Sequence, residues 1–359
     1  MIYQYIQTWN KGDAVGNEVR AISRYLSNSG IENLVVKSQP VHSQPGAVLF
    51  DDFESMVKAD DLLLFHLAWI TPDLIWRKLK AFPCKKIIIY HNITPGEFFA
   101  PYDKLASKTA VKARQQLQEG AKIFDAAWAD SRYNADELVA LGYKNVSEMP
   151  LLIAFEDYKQ PADQSLADSL SDGYTNILFV GRMVPNKCLE DIISAFAEYK
   201  ARYNERSRLI LVGNDDMTLY VNKLHNFCRD NHFKDVVFRA HCPFADILAY
   251  YKRADLFLCM SEHEGFCVPL LESMVFQVPV LAYSACAVPA TLGDGGICFT
   301  DKDPVKVAAL MDAVIRDESL KAEIRNRQKE QLDKFDPEKI LPQMLASLKA
   351  FRKEQGVKA

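Results

Sequence analysis

The chain has 359 residues, 49% of them hydrophobic and 25% charged, with a formal net charge of −4. That length predicts two or three domains with ample core, and the composition excludes a disordered or fibrous chain. The acidic balance excludes a general nucleic-acid binder, because neutralising phosphates needs a surplus of Lys and Arg.

Short β-branched and aromatic runs alternate with helix-length amphipathic segments, the pattern of parallel βαβ units. In the first half, strands are expected at Asn33 to Lys37, Asp61 to His66, Lys86 to Tyr90 and Ala126 to Ala129. Helices are expected at Glu18 to Asn28, Pro72 to Lys80 and about Tyr102 to Phe124. The run Ile87 to Tyr90 is continuously apolar, as in a strand buried on both faces. A polar stretch near Gln160 to Gly173 then separates a second series, with strands at Asn176 to Val180, Arg208 to Val212, Val236 to Arg239, Leu256 to Met260 and Val278 to Ala282. A last helix is expected at Pro337 to Lys353, after a Phe-Asp-Pro break. The expected domains are therefore residues 1–165, residues 166–336, and a terminal helix at 337–359 that could pack on either.

Ligands of doubly wound sheets bind at the carboxyl ends of strands, so the loops there are where function is sought. In SEHEGFCVPLLESM, Ser261 to Met274, a strand gives way to a short loop and then to a helix that Pro269 can open. The backbone N–H groups from Phe266 to Leu270 and the helix dipole favour an anion such as phosphate. Glu264 in the loop and Glu272 one turn into the helix can face one ligand, and carboxylates suit sugar hydroxyls; an acidic pair that merely favours the dipole is the alternative. Upstream, FVGRMVPNK offers Gly181 for a sharp turn, with Arg182 and Lys187 as donors suited to a diphosphate or as solvated surface charges.

With these residues in place, the sequence resembles the retaining glycosyltransferases of GT-B architecture, family 4. Their hallmark E-x7-E, with Gly-Phe after the first Glu, reads here Glu264-Gly265-Phe266-Cys267-Val268-Pro269-Leu270-Leu271-Glu272. Cys267 stands where many relatives have Gly. The resemblance extends over nearly the whole chain and implies an α/β fold of two Rossmann-like domains facing a central cleft, the first on the acceptor side and the second holding the donor. It further implies that Glu264 contacts the donor sugar, Glu272 the ribose, and Arg182 and Lys187 the diphosphate, with Gly181, Gly265, Phe266, Cys267 and Val268 lining the donor. The backbone from Arg239 to His241 resembles the stretch that cups the nucleobase. In GDAVGNEVRAIS, Gly16 and Asn17 match a glycine-bearing loop near donor and acceptor, a capping turn on Asp13 or Asn17 being the alternative. His91, directly after the Ile87 to Tyr90 run, matches a histidine presented to the donor sugar; a structural histidine is the alternative.

The expected reaction is transfer of a hexose-type sugar from a GDP- or UDP-sugar to a hydroxyl of a glycan or lipid-linked glycan, with retention and without a cofactor or metal. Biosynthesis of O-antigen or capsule polysaccharide follows from the resemblance. A non-catalytic sugar-nucleotide-binding subunit and a phosphorylase or epimerase on the same fold are the alternatives. No apolar stretch approaches the roughly 20 residues that span a bilayer, and MIYQYIQTWNKGD lacks the features of a signal peptide. A cytoplasmic chain is expected, its eight cysteines reduced and without zinc-ligand spacing. Lys104, Lys108 and Lys112 recur every four residues, either as a solvated face or as a peripheral contact with anionic lipid at the inner membrane surface.

Overall fold

A computed structural model describes residues 1–7, 9, 14–38 and 47–354. The chain forms two compact units: Met1–Pro95 with Lys108–Ala154 and the segment from Phe335 onward, and Gly96–Ser107 with Phe155–Lys334.

The first unit contains β1 (Ile2–Ile6), α1 (Ala14–Asn28), β2 (Asn33–Lys37), β3 (Ala47–Leu49), α2 (Phe50–Met56), β4 (Leu62–Leu67), α3 (Asp73–Lys78) and β5 (Lys85–Tyr90). Helix α4 (Lys104–Gly120) then leads to β6 (Ala126–Ala129), α5 (Arg132–Ala140) and β7 (Val146–Glu148). Its seven strands pair in parallel in the order β3-β2-β1-β4-β5-β6-β7. Alternate side chains serve two cores, because successive residues of a strand point to opposite faces. Tyr3, Tyr5, Leu63, Phe65, Ile88 and Tyr90 enter one; Ile2, Leu62, Leu64, Ile87 and Ile89 enter the other.

The second unit runs through α6 (Gln164–Ser169), β8 (Thr175–Val180), α7 (Leu189–Arg202), β9 (Ser207–Val212), α8 (Thr218–Asp230), β10 (Val236–Arg239), α9 (Phe244–Arg253) and β11 (Leu256–Cys259). It continues with α10 (Val268–Val275), β12 (Val280–Tyr283), α11 (Val288–Leu292), β13 (Ile297–Phe299), α12 (Pro304–Arg316) and α13 (Glu318–Lys334). Its six strands are also parallel, in the order β10-β9-β8-β11-β12-β13. Each sheet reverses its winding once, between β1 and β4 and between β8 and β11. Such a switch point opens a crevice at the carboxyl ends of the strands. The fold is α/β, with two Rossmann-like units of the GT-B class.

The unit boundaries depart from the expected 1–165, 166–336 and 337–359. The first unit closes at Ala154, and α6 belongs to the second, where Arg253 Nε donates to the Ala167 carbonyl at 3.0 Å. Residues 96–107 also join the second unit, with Tyr102 edge-on to Tyr220 at 5.1 Å between ring centroids. The terminal helix α14 (Pro337–Glu354) packs in the first unit through Ile340, Met344, Leu348 and Phe351.

Candidate functional site

In the second unit, β8 and β11 are hydrogen-bonded neighbours at the switch point, so the loops that follow them emerge side by side. The first carries Gly181, Arg182, Asn186 and Lys187, and the second carries Ser261 to Cys267. Asn186 is buried and ties them together. Its amide Nδ2 donates to the His263 carbonyl at 2.9 Å, and its own carbonyl accepts from the Glu262 N–H at 2.9 Å. The next residue, Lys187, thereby meets Glu264, with Nζ to Oε1 at 2.6 Å and both side chains largely buried. Burial pulls the Lys187 ammonium down, but the charge and hydrogen bond of Glu264 outweigh it and hold the pKa above the ordinary lysine value. Gly213, which directly follows β9, lets a third strand end press on this one, since a Cβ there would lie 2.0 Å from the Gly181 carbonyl oxygen.

Cys267 caps α10 in the left-handed region, at φ 74°, with Pro269 in the first turn. Phe266 and Cys267 are buried, and Val268 begins the helix. The amide end of α10 and the Glu264 loop are thus one continuous turn. Glu272 lies in the second turn, where its two oxygens accept from Tyr158 Oη at 2.7 Å and Tyr251 Oη at 2.6 Å. Burial raises the Glu272 carboxyl, and the two tyrosine hydrogen bonds pull the other way.

The structure joins Lys187 to Glu264, with Cys267 beside them, and leaves Arg239, His241, Gly16, Asn17 and His91 apart from that pair. Arg182 is exposed, and its guanidinium makes no hydrogen bond or ion pair with the described residues. Arg239 and His241 are exposed too, on an open groove of about 630 Å³ that Asp163, Ser165 and Tyr250 also line. Gly16 and Asn17, expected on a loop, lie in the first turn of α1; the Gly16 carbonyl accepts from Trp9 Nε1 at 3.1 Å, and Asn17 Oδ1 accepts from Arg20. Asn17 is therefore inside the helix and not its cap, while Gly12 and Asp13 fall outside the described residues. The His91 side chain is buried in the first unit, with Nδ1 2.9 Å from Asp130 Oδ2 and Nε2 2.9 Å from His66 Nδ1. Lys104, Lys108 and Lys112 are exposed on α4, and Lys112 pairs with Asp73 at 2.6 Å. No helix among the described residues is long and apolar enough to cross a membrane.

Residues 164–331, the stretch that carries this site, match the profile of the glycosyl transferases group 1 family. The second unit holds a glycosyltransferase group 1 domain. A curated relative, the serotype-specific mannosyltransferase WbdA of Escherichia coli, is 24% identical over 223 residues, covering 59% of this chain and 27% of its own. The O-antigen chain mannosyltransferase B of Escherichia coli is 26% identical over 146 residues, 40% of this chain and 37% of its own. The chain thus spans well under half the length of either. A crystal structure of Anabaena Alr3699/HepE in complex with UDP-glucose superposes on the whole fold, with a TM-score of 0.75, 18% identity and coverage of 97% of this chain and 99% of that one. The group 1 domain contains Arg182, Lys187, Glu264 and Glu272 within its matched span.

Asn186 was not singled out by its sequence. The signal available was its place beside Lys187, in a turn whose partner loop lies 77 residues on.

Proposed function

We propose that this chain is a retaining glycosyltransferase that moves a hexose from a nucleotide diphosphate to the hydroxyl of a glycan or lipid-linked glycan. The observation that carries the reading is the buried Lys187–Glu264 pair, set at the switch point of the group 1 domain and beside the amide end of α10. Departure of a nucleoside diphosphate builds negative charge on phosphate and positive charge on the sugar ring. Lys187, the exposed guanidinium of Arg182 and the N-terminus of α10 answer the first, and the Glu264 carboxylate answers the second. These groups suffice without a metal ion. Glu272 on the ribose, the 239–241 backbone on the base and His91 toward the sugar belong to the same reading. The two mannosyltransferase relatives support a mannosyl donor and a place in O-antigen synthesis, whereas the UDP-glucose bound by the Anabaena protein supports a UDP donor.

Replacing either cation tests the proposal. Arg182→Ala and Lys187→Ala are each expected to lower kcat/KM for sugar transfer at least about a hundredfold, roughly 2.7 kcal/mol of transition-state stabilisation. Near-native transfer by both folded variants would remove the leaving-group role.

A further inference from the structure

Polar side chains from four neighbouring strands or the residues just after them meet inside the first unit, around its own switch point. Gln4 comes from β1 and His66 from β4, while His91 directly follows β5 and Asp130 directly follows β6. Gln4 Nε2 donates to the Val19 carbonyl at 3.3 Å, which turns Gln4 Oε1 toward His66 Nε2, also at 3.3 Å. His66 Nδ1 lies 2.9 Å from His91 Nε2, and His91 Nδ1 lies 2.9 Å from Asp130 Oδ2. From α1, Glu18 Oε2 faces the inner nitrogens of His66 and His91 at 3.7 and 3.6 Å without a hydrogen bond of its own. Its other oxygen accepts from the Leu152 N–H at 3.3 Å. These ionisable side chains are at most 4% exposed.

Two imidazole nitrogens and a carboxylate at such distances invite a cation, but the ring geometry selects a proton. The rings are nearly coplanar, 5° apart, with centroids separated by 5.2 Å. That separation is the N···N distance plus the two ring radii, so the rings meet head-on and their nitrogen lone-pair axes point at each other. A metal ion would need those axes to converge, with the Glu18 oxygen, on a third point. An in-plane N–H···N hydrogen bond needs what is observed.

The line Gln4–His66–His91–Asp130 contains three contacts, and each requires one hydrogen between its heavy atoms. Three hydrogens over two imidazoles is one more than two neutral rings carry. Placed on His91, the extra hydrogen makes an imidazolium whose Nδ1–H meets the Asp130 carboxylate at 2.9 Å, a charge-assisted hydrogen bond. We propose that His91 is held as an imidazolium by this line, with Asp130 as counter-ion, and that His66 and Asp130 are its positioning residues. Burial and the charge on His91 push His66 below the ordinary histidine value, which leaves the proton on His91. Burial pushes the Glu18 carboxyl above the ordinary carboxylate range, against the pull of the charge on His91.

The inference rests on the reading of His91 as a donor-facing residue and alters its role. With both ring nitrogens spent inside the chain, His91 offers a ligand a locked ring and a fixed positive charge, not a proton to transfer.

The test is two-bond ¹H–¹⁵N spectroscopy on the full chain labelled with ¹⁵N-histidine, at about pH 7.5, a unit above ordinary imidazole. His66→Gln assigns the His66 signals by their loss. The expected result is two protonated nitrogens on His91 and one on His66; two neutral rings with one N–H each would overturn the proposal. Asp130→Asn is expected to strip the second proton from His91 and to move the alkaline limb of kcat/KM to lower pH. A lower rate at every pH with the limb unmoved would reduce Asp130 to scaffolding and overturn its positioning role. If Asp130→Asn does not fold, the spectrum of the unaltered protein decides alone. A protonated His91 in a chain that transfers no sugar would refute the proposed function and leave the proton assignment standing.

Discussion

Cys267 occupies a conformation that L side chains other than Gly, Asn and Asp rarely adopt, at φ 74° and ψ 64°. Its Cβ is tolerated because the turn must hand the chain from the Glu264 loop into α10, and burial of the thiol offsets part of the strain. Cys267→Gly should therefore keep sugar transfer and change stability by no more than about 1 kcal/mol, with relieved strain set against the greater chain entropy of unfolded glycine. Cys267→Val should be the less stable of the two, since branching at Cβ makes the left-handed region costlier still. Denaturant midpoints that rank valine above glycine would show the turn to be shaped otherwise. At this scale the sequence is legible wherever the geometry is local. Glu264 to Glu272 is one loop and one helical turn, and its spacing can be counted along the chain. Arg182 and Lys187 could be named for the same reason. The partners that hold such residues could not: Asn186 reaches across 77 residues, and His91 reaches 25 back to His66 and 39 on to Asp130. Those contacts exist only once the strand order is known.

Helix α14 shows the same division among elements. Its existence was legible from an apolar stripe after a Phe-Asp-Pro break, but not the unit it joins, because an amphipathic face does not name its partner. In the structure Ile340, Met344, Leu348 and Phe351 cover β-strand residues Ile2, Leu62, Leu64, Ile87 and Ile89 together with Ile22 and Leu26 of α1. Long central strands were found to within a residue or two, whereas β3, β7 and β13, of three residues each, were not anticipated. So short a run carries too little periodicity to stand out from a loop. Strand β1 was also unanticipated, since its polar Gln4 interrupts the apolar run; burial at 0% with a hydrogen bond to Val19 is how the sheet accommodates it. Helix α12 buries Val307, Ala308, Met311 and Val314 at helical spacing, a face that carries no motif. Met344 is 1% exposed in the α14 seam, so Met344→Ala should destabilise the first unit by about 2–5 kcal/mol. Chemical denaturation followed by the first unit's Trp128 would measure it, and a loss under about 0.5 kcal/mol would mean that α14 is dispensable to that core.

The described residues form two sheets, each with its own core and its own switch point, and the polar groups of interest gather at both. Two such units need not unfold as one, so a single unfolding free energy is not assured for this chain. Calorimetry can use that separation, because Met344→Ala labels the transition of the first unit by lowering it. A nucleotide diphosphate bound at the proposed site of Lys187, Arg182 and the end of α10 would stabilise the second unit by about 2.7 kcal/mol at a hundred times its dissociation constant. In Met344→Ala protein, the correct nucleotide should raise the transition that the substitution left in place, by several degrees for a domain of this size. Running UDP, GDP and ADP side by side then reads the base, since the largest shift marks the nucleotide that binds. A nucleotide that raises only the transition lowered by Met344→Ala would place the diphosphate in the first unit, and the Lys187–Glu264 pair would lose its assigned ligand.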